Sequence, residues 1–415
     1  MSIGRRTFLQ SALTVAATAG LSDRTSNAAT PSSNAQQQME TGRQRVPRDR
    51  IDPWIEVDDR LLKANVKAIR QLTNNRSIVG VIKNNAYGLG LVATAKYLET
   101  LPEIVALAVV KVQSAIELRE AGIKKPIHLM ALFPKSAAKE LAHHDIQPCL
   151  YSANALELVE PMYELLRRPV DVQVYVDTGM SRMGVPYRKA LPWIEALAKS
   201  GTVSLQGAFM GFTEDAEFDR EQLQRLQILA KEASQRGYNL GKLHAASSSA
   251  VFELPEAHLD FVRPGIAIFG GYPNDPVTQQ KRARLQTAFS LKAQVVRVEQ
   301  LQTGDSVSYG RNYIAEKPTW VATIPTGHTD GYPRKGVEGG RILIGSETYP
   351  VIGAVSASHT IVEVGAEKKV NVGDVATLMG SEHPEIDPNW LSSTTGVSVY
   401  DLFMHLNSSL PRYSA

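Results

Sequence analysis

From Asp58 onward the chain alternates between two hydrophobic spacings. In DDRLLKANVKAIRQL, Leu62, Val66 and Ile69 recur at i, i+4 and i+7, which is one helical face, and Asp58 is placed to cap it. Short apolar runs follow at intervals. SIVGVIK, IVALAVV, IHLMAL, DIQPCLY, VDVQVYVD, SLQGAFM, KLHAA and FVRPG read as strands. Between them, Val112, Ala115 and Ile116 share a helical face that Gly122 stops. Residues 193–198 read as a second helix, and Leu223, Leu226 and Ala230 mark a third. About eight strand–helix units in roughly 220 residues fit a parallel (β/α)8 TIM-like barrel better than an open doubly wound sheet. Near residue 287 the texture changes. FSLKAQVVRVEQL, TWVATIPTG, RILIGSETYPVIGAV, TIVEV and DVATLMG are strand-like runs joined by Gly-rich turns, without intervening helices. The pattern therefore predicts an α/β barrel over 51–286 and a C-terminal mostly-β domain over 287–415.

The first fifty residues follow neither spacing. GRRTFLQ is followed by the weakly apolar SALTVAATAGL and then by SNAA, the basic, apolar, small order of a signal peptide. Arg5 and Arg6, with Phe8 and Leu9 just after them, resemble a twin-arginine export signal over 1–29, with cleavage near Ala28 or Ala29. Residues 30–50 are rich in Gln, Ser and Arg and read as a disordered linker. The apolar run is too short and too Ala/Thr-rich for stable membrane insertion. The expected location is thus the periplasm or cell exterior. The competing reading is a basic tail with a chance arginine pair on a cytoplasmic protein.

Composition narrows the function classes. A formal net charge of +3 gives no reason to expect a nucleic-acid partner. Cys149 is the only cysteine, which excludes an intramolecular disulfide framework and a cysteine-based zinc site. The nine histidines show no ligand spacing, and His143–His144 reads as a solvated helix end, so no metal is expected.

Lys83 ends the first barrel strand, and in a barrel the C-terminal strand ends carry the active site. A desolvated lysine there can act as a nucleophile toward aldehydes, although a lone lysine more often simply ends a strand. Other segments weigh against the simple ending. VDTGMSRMG (176–184) delivers Arg182, suited to a carboxylate or a cofactor oxygen, on a Gly-containing turn. HAASSSA (244–250) and VRPGIAIFGG (262–271) supply hydroxyls and backbone amides of the kind that hold a phosphate at a barrel's final strands. SVSYGRNY (306–313) puts Tyr309 in a turn of the second domain. Each alone is ordinary turn chemistry; their joint order is not.

Together with PWIEVDDRLLKAN, KVQSAIELREAGI, IPTGHTDGYPR and VGDVATLMG, these stretches make the chain resemble the alanine racemase family over residues 52–415. The resemblance implies an N-terminal barrel that carries pyridoxal 5′-phosphate (PLP), a C-terminal β domain, and a head-to-tail homodimer with shared active sites. It implies that Lys83 carries PLP and is one catalytic base, and that Tyr309 is the second, serving the neighbouring subunit. Tyr87, Ser248 and the amides of Gly265 and Ile266 match the phosphate contacts, and Arg263 matches the arginine at the pyridine nitrogen. Arg182 matches the arginine near the cofactor's phenolic oxygen and the substrate carboxylate.

The chain departs from the family around the substrate. Gly211 stands where a ring-stacking histidine is usual, Ser247 for an asparagine, His328 for a tyrosine and Tyr175 for a frequently carbamylated lysine. Ala357 and Ser358 fall in the Cys-Met-Asp segment, and Ser408 replaces a tyrosine that helps hold phosphate and confines the substrate. With Arg182, the positions Ala357, His328 and Ser408 are the expected substrate-binding set. Smaller walls there predict a racemase with a wider, more polar pocket that takes alanine and also serine or longer, even basic, amino acids. Two other readings remain open: a related PLP barrel decarboxylase, and a PLP-binding protein without turnover.

Overall fold

A computed structural model describes residues 43–47 and 49–415. The expected export signal over 1–29 and residues 30–42 of the expected linker lie outside the described residues. The linker's last residues do not hang free. Arg43 is buried, pairs with Asp59 at 2.5 Å and bonds the Thr94 hydroxyl at 3.0 Å. Gln44 bridges in parallel to Tyr413. Nothing in the local composition around Arg43 foretells this, because Asp59, Leu89 and Thr94 lie beyond it in the folded domains.

The first strand, β1 (Trp54–Val57), does not belong to the barrel, although the expected barrel began at residue 51. It pairs antiparallel with Phe289–Gln294 and parallel with Arg412–Ser414, so it joins the second domain's sheet. The next helix, Asp59–Leu72, is capped by Asp58, whose side chain accepts from the Arg60 amide at 2.9 Å. It buries Leu62, Val66 and Ile69, the face that the spacing predicts.

The barrel strands follow in chain order. They are β2 (Ser77–Val81), β3 (Ile104–Val109), β4 (Ile127–Leu129), β5 (Gln147–Leu150) and β6 (Val170–Asp177). A two-residue strand, β7 (Val185–Pro186), pairs beside the end of β6. β8 (Val203–Phe209), β9 (Lys242–His244) and β10 (Phe261–Val262) complete the set. The spatial order β5-β4-β3-β2-β10-β9-β8-β6 is closed by pairing of β5 with β6, and every pairing within it is parallel. A closed sheet has no unpaired edge, and it aims all eight C-terminal strand ends at one face. The expected barrel is therefore present, with all eight predicted strands in it.

The second domain is a nine-stranded sheet. Its spatial order is Arg297–Leu301, Thr319–Ile324, Thr360–Gly365, Glu347–Ile352, Arg341–Ile344, Val375–Met379, Phe289–Gln294, β1 and Arg412–Ser414. It is mostly β, as expected, but it also carries two helices, Pro388–Thr395 and Val399–Met404. The first starts by a rule that the sequence displays: Pro388 at the first helical position and Asp387 accepting from the Asn389 amide at 2.8 Å. One continuous apolar core runs from Leu62 and Ile78 of the barrel to Leu378 and Phe403 of the second domain. The two domains therefore bury their apolar surface together rather than meeting across a polar seam.

The Arg43–Asp59 pair is nearly solvent-free, with side-chain exposures of 3% and 0%. Removing Arg43 takes away the guanidinium that neutralises the buried Asp59 carboxylate. Arg43→Ala is expected to lower stability by about 3–5 kcal/mol, read as a lower urea midpoint at unchanged slope. An unchanged midpoint would mean that the segment before β1 contributes nothing to the fold.

Candidate active site

β2 ends at Val81, and Lys83 opens a turn of unusual hand. Asn84, Asn85, Ala86 and Tyr87 all have φ between 52° and 57°, a single turn of left-handed helix. L-residues disfavour this conformation by about 1–2 kcal/mol each, so something must hold it. Three contacts do so. Gly88 continues at φ 89°, where a Cβ would lie 2.6 Å from the Phe403 carbonyl oxygen. Arg412 donates to the Gly88 carbonyl through Nε (3.0 Å) and Nη2 (2.8 Å). The Asn85 side chain accepts from the Leu91 amide at 2.8 Å. The turn leaves Lys83 half-buried and Tyr87 buried, both on one cavity of about 530 Å³ at the barrel mouth. Burial, with the Arg182 guanidinium as a second cause, pushes the Lys83 amine below its usual pKa.

Arg182 reaches this cavity from the turn after β6. The Asp177 carboxylate shapes that turn by accepting from the amides of Gly179 (2.9 Å) and Ser181 (3.0 Å). On the opposite flank of the chain order, Ser248 Oγ accepts from the amides of Gly265 (2.9 Å) and Ala267 (3.3 Å). A Cβ on Gly265 would lie 2.1 Å from the Tyr87 hydroxyl, so this cradle exists because position 265 has no side chain. Ile266 is fully buried just behind it, at the start of a short 3-10 helix.

Arg263 rises from the end of β10 and is buried, and burial lowers its pKa to about 10. Its Nη1 donates to the His244 carbonyl (2.6 Å), and its Nη2 donates to the carbonyls of Met210 (2.7 Å) and Ala245 (3.2 Å). Nη1 also lies 3.1 Å from His244 Nδ1. A guanidinium only donates, so His244 Nδ1 accepts and Nε2 carries the ring proton. That proton points to Gln173 Oε1 at 3.1 Å. Burial and the Arg263 charge hold the His244 pKa well below the usual histidine range, which keeps the ring neutral. Beneath the cavity, His244, Phe209 and Tyr175 stack in sequence, at 5.2 Å and 4.4 Å between ring centroids. Arg263 lies over Phe209 at 5.0 Å. Among the described residues no carboxylate pairs with Arg263.

Comparison with known proteins meets this geometry. The family described as "Alanine racemase, N-terminal domain" matches residues 57–273, and "Alanine racemase, C-terminal domain" matches 288–414. The chain belongs to the alanine racemase family. It is 32% identical over 364 residues to alanine racemase of Carboxydothermus hydrogenoformans, covering 86% of this chain and 98% of that one. It is 31% identical to alanine racemase of Methanococcus maripaludis, covering 86% of this chain and 97% of the relative. The solved alanine racemase of Streptomyces coelicolor superposes with a TM-score of 0.81 at 26% identity, over 88% of this chain and 98% of that one.

Within one chain, the cavity brings together Lys83, Tyr87, Arg182, Ser248, Arg263 and Gly265 of the residues that the alanine racemase resemblance implies. It does not gather Tyr309, His328, Ala357 or Ser408. Tyr309 is 76% exposed, on a turn whose neighbours Ser308, Gly310 and Arg311 all have positive φ. His328 and Ala357 lie side by side on the second domain, where the His328 amide donates to the Ser356 carbonyl and the Thr329 amide to that of Ala357. His328 borders a separate cavity, and its Nε2 accepts from Arg334 at 2.8 Å. Ser408 is exposed.

Tyr400 was missed by sequence reasoning. It comes from the helix Val399–Met404 and lines the Lys83 cavity, with its phenol pKa raised by burial and by Glu214. Glu214 was missed as well. Neither lies in a motif of its own; each is brought in by an element that the hydrophobic pattern leaves unresolved.

Only a neutral amine attacks an aldehyde, so lowering the Lys83 pKa allows attack at lower pH. Removing Arg182 takes away one cause of that lowering. In Arg182→Ala, the pH profile of aldehyde capture by the cofactor-free protein should move in the alkaline direction. A profile that stays in place would show that burial alone sets the lysine's pKa.

Proposed function

We propose that the protein is a PLP-dependent amino-acid racemase that interconverts L- and D-alanine and accepts further amino acids. The observation that carries the reading is a half-buried Lys83 of depressed basicity at the mouth of the barrel, beside the Ser248–Gly265 cradle. The residues fit PLP. Hydroxyls of Tyr87 and Ser248 and the side-chain-free Gly265 converge on a space suited to a phosphate, with the Ile266 amide behind it. Arg263 has no carboxylate partner among the described residues and retains its proton, which suits it to a ring nitrogen that is to stay unprotonated. When bound, PLP supplies an aldehyde for the substrate's amino group and a conjugated ring that makes the Cα–H acidic.

The chain's own residues supply the rest. Arg182 binds the substrate carboxylate through a charge-assisted pair and so orients Cα. Lys83, less basic than a free lysine, exchanges a proton with Cα on one face. Inversion needs a second base on the other face. Tyr309, exposed on the second domain, serves the site of a partner subunit in a head-to-tail homodimer. A wider pocket, consistent with Gly211 on the cavity wall, admits amino acids beyond alanine.

Export is proposed on the sequence of GRRTFLQ alone, and it gives an enzyme acting on amino acids outside the cytoplasm.

Shared sites make a specific prediction. Lys83→Ala and Tyr309→Phe should each lower racemisation by about 10²–10⁴-fold. Mixing the two inactive proteins under exchange conditions should restore roughly a quarter of wild-type activity, because each mixed dimer regains one intact site. Failure of the mixture to recover activity would mean that the two residues do not meet across a dimer.

A further inference from the structure

The Lys83 cavity offers more wall than alanine uses. Four methionines, Met130, Met180, Met183 and Met210, line it. Unbranched thioether side chains yield to occupants of different shape. Gly211 keeps the space beside them open: a Cβ there would already come within 3.3 Å of both Met180 Sδ and the Tyr175 hydroxyl. This part of the wall is therefore apolar and adaptable, suited to an alkyl chain.

A charge completes this wall. Glu214 is the only carboxylate among the residues lining the cavity, which it shares with Lys83, Arg182 and Arg263. Its side chain sits at the exposed rim, and it makes no ion pair among the described residues. The backbone there is over-determined. Glu214 has φ 67°, a left-handed conformation of the kind that costs a non-glycine about 1 kcal/mol or more. The Asp219 carboxylate fixes it by accepting from the amides of Thr213 and Glu214, each at 3.1 Å. Gln222 ties the same loop to the wall by accepting from the Thr213 amide at 3.0 Å and donating to the Gly211 carbonyl at 3.2 Å. Partial burial and the neighbouring Asp219 raise the Glu214 pKa, a cost that a cation beside it would relieve.

We propose that Glu214 is the subsite for the charged end of a linear cationic amino acid, the lysine or ornithine class. The stem lies along the methionines, and the α-carboxylate rests on Arg182. Long cationic side chains partition in this way, with methylenes against apolar surface and the head near water. Alanine leaves both the sleeve and Glu214 unused, and an acidic side chain is repelled. This inference rests on the racemase reading above.

The test measures kcat/KM for L-lysine and L-alanine on the PLP-loaded wild-type protein, Glu214→Gln and Glu214→Lys. Wild type should racemise both amino acids. The lysine-to-alanine ratio should fall about tenfold or more in Glu214→Gln, mainly through KM, and further in Glu214→Lys. Turnover of alanine without lysine, or a ratio that neither variant changes, overturns the subsite and leaves the racemase reading intact. Absence of turnover on any amino acid overturns both together.

Discussion

Four consecutive residues of the wrong hand set the geometry of the site. The turn Asn84–Tyr87 costs several kcal/mol on the usual scale for left-handed L-residues, and an isolated chain would relax it. It persists because the second domain closes on it. The Phe403 carbonyl crowds Gly88, and Arg412 holds the Gly88 carbonyl with two donors. The benefit is positional. A lysine ending a strand and a tyrosine four residues later reach the same cavity, one at the mouth and one against Gly265. The second domain is thus structural support for the barrel's chemistry, and their common apolar core makes that support rigid.

The second constraint is charge. Lys83, Arg182 and Arg263 face a cavity that contains one carboxylate. Arg263 is buried, Lys83 half-buried and Arg182 exposed, and an anion in the cavity would compensate their charge. In the function proposed above, a phosphate at the Ser248 cradle and a substrate carboxylate at Arg182 would supply such anions. Arg263 differs from the other two. Its hydrogen bonds run to backbone carbonyls and to a neutral histidine, so its orientation is set before anything binds. The buried stack of His244, Phe209 and Tyr175 packs the barrel interior beside it.

The barrel was legible because each of its strands is a short apolar run and each run is separated by a helix or a turn. Lys83, Arg182, Ser248 and Arg263 were legible because a barrel sends its strand ends to one face, so their place in the sequence implied their place in space. The β1 strand was not, since four residues say nothing of a partner more than two hundred positions away. The left-handed turn was hidden as well: Asn84 and Asn85 tolerate such φ, but Ala86 and Tyr87 do not by themselves favour it. Tyr400 and Glu214 escaped notice because a helix and a loop of unremarkable composition carry them to the cavity. Tyr309, His328, Ala357 and Ser408 stay away from the Lys83 cavity of their own chain, and only the family resemblance, not any local pattern, points to a site shared between two chains.

Synthesis on the ribosome runs from the lysine to its support. Lys83 leaves the exit tunnel long before Phe403 and Arg412, which brace its turn. A nascent or truncated chain therefore carries the reactive amine without the geometry that makes it useful. The turn therefore gains its support only after Arg412 has emerged and folded against Gly88.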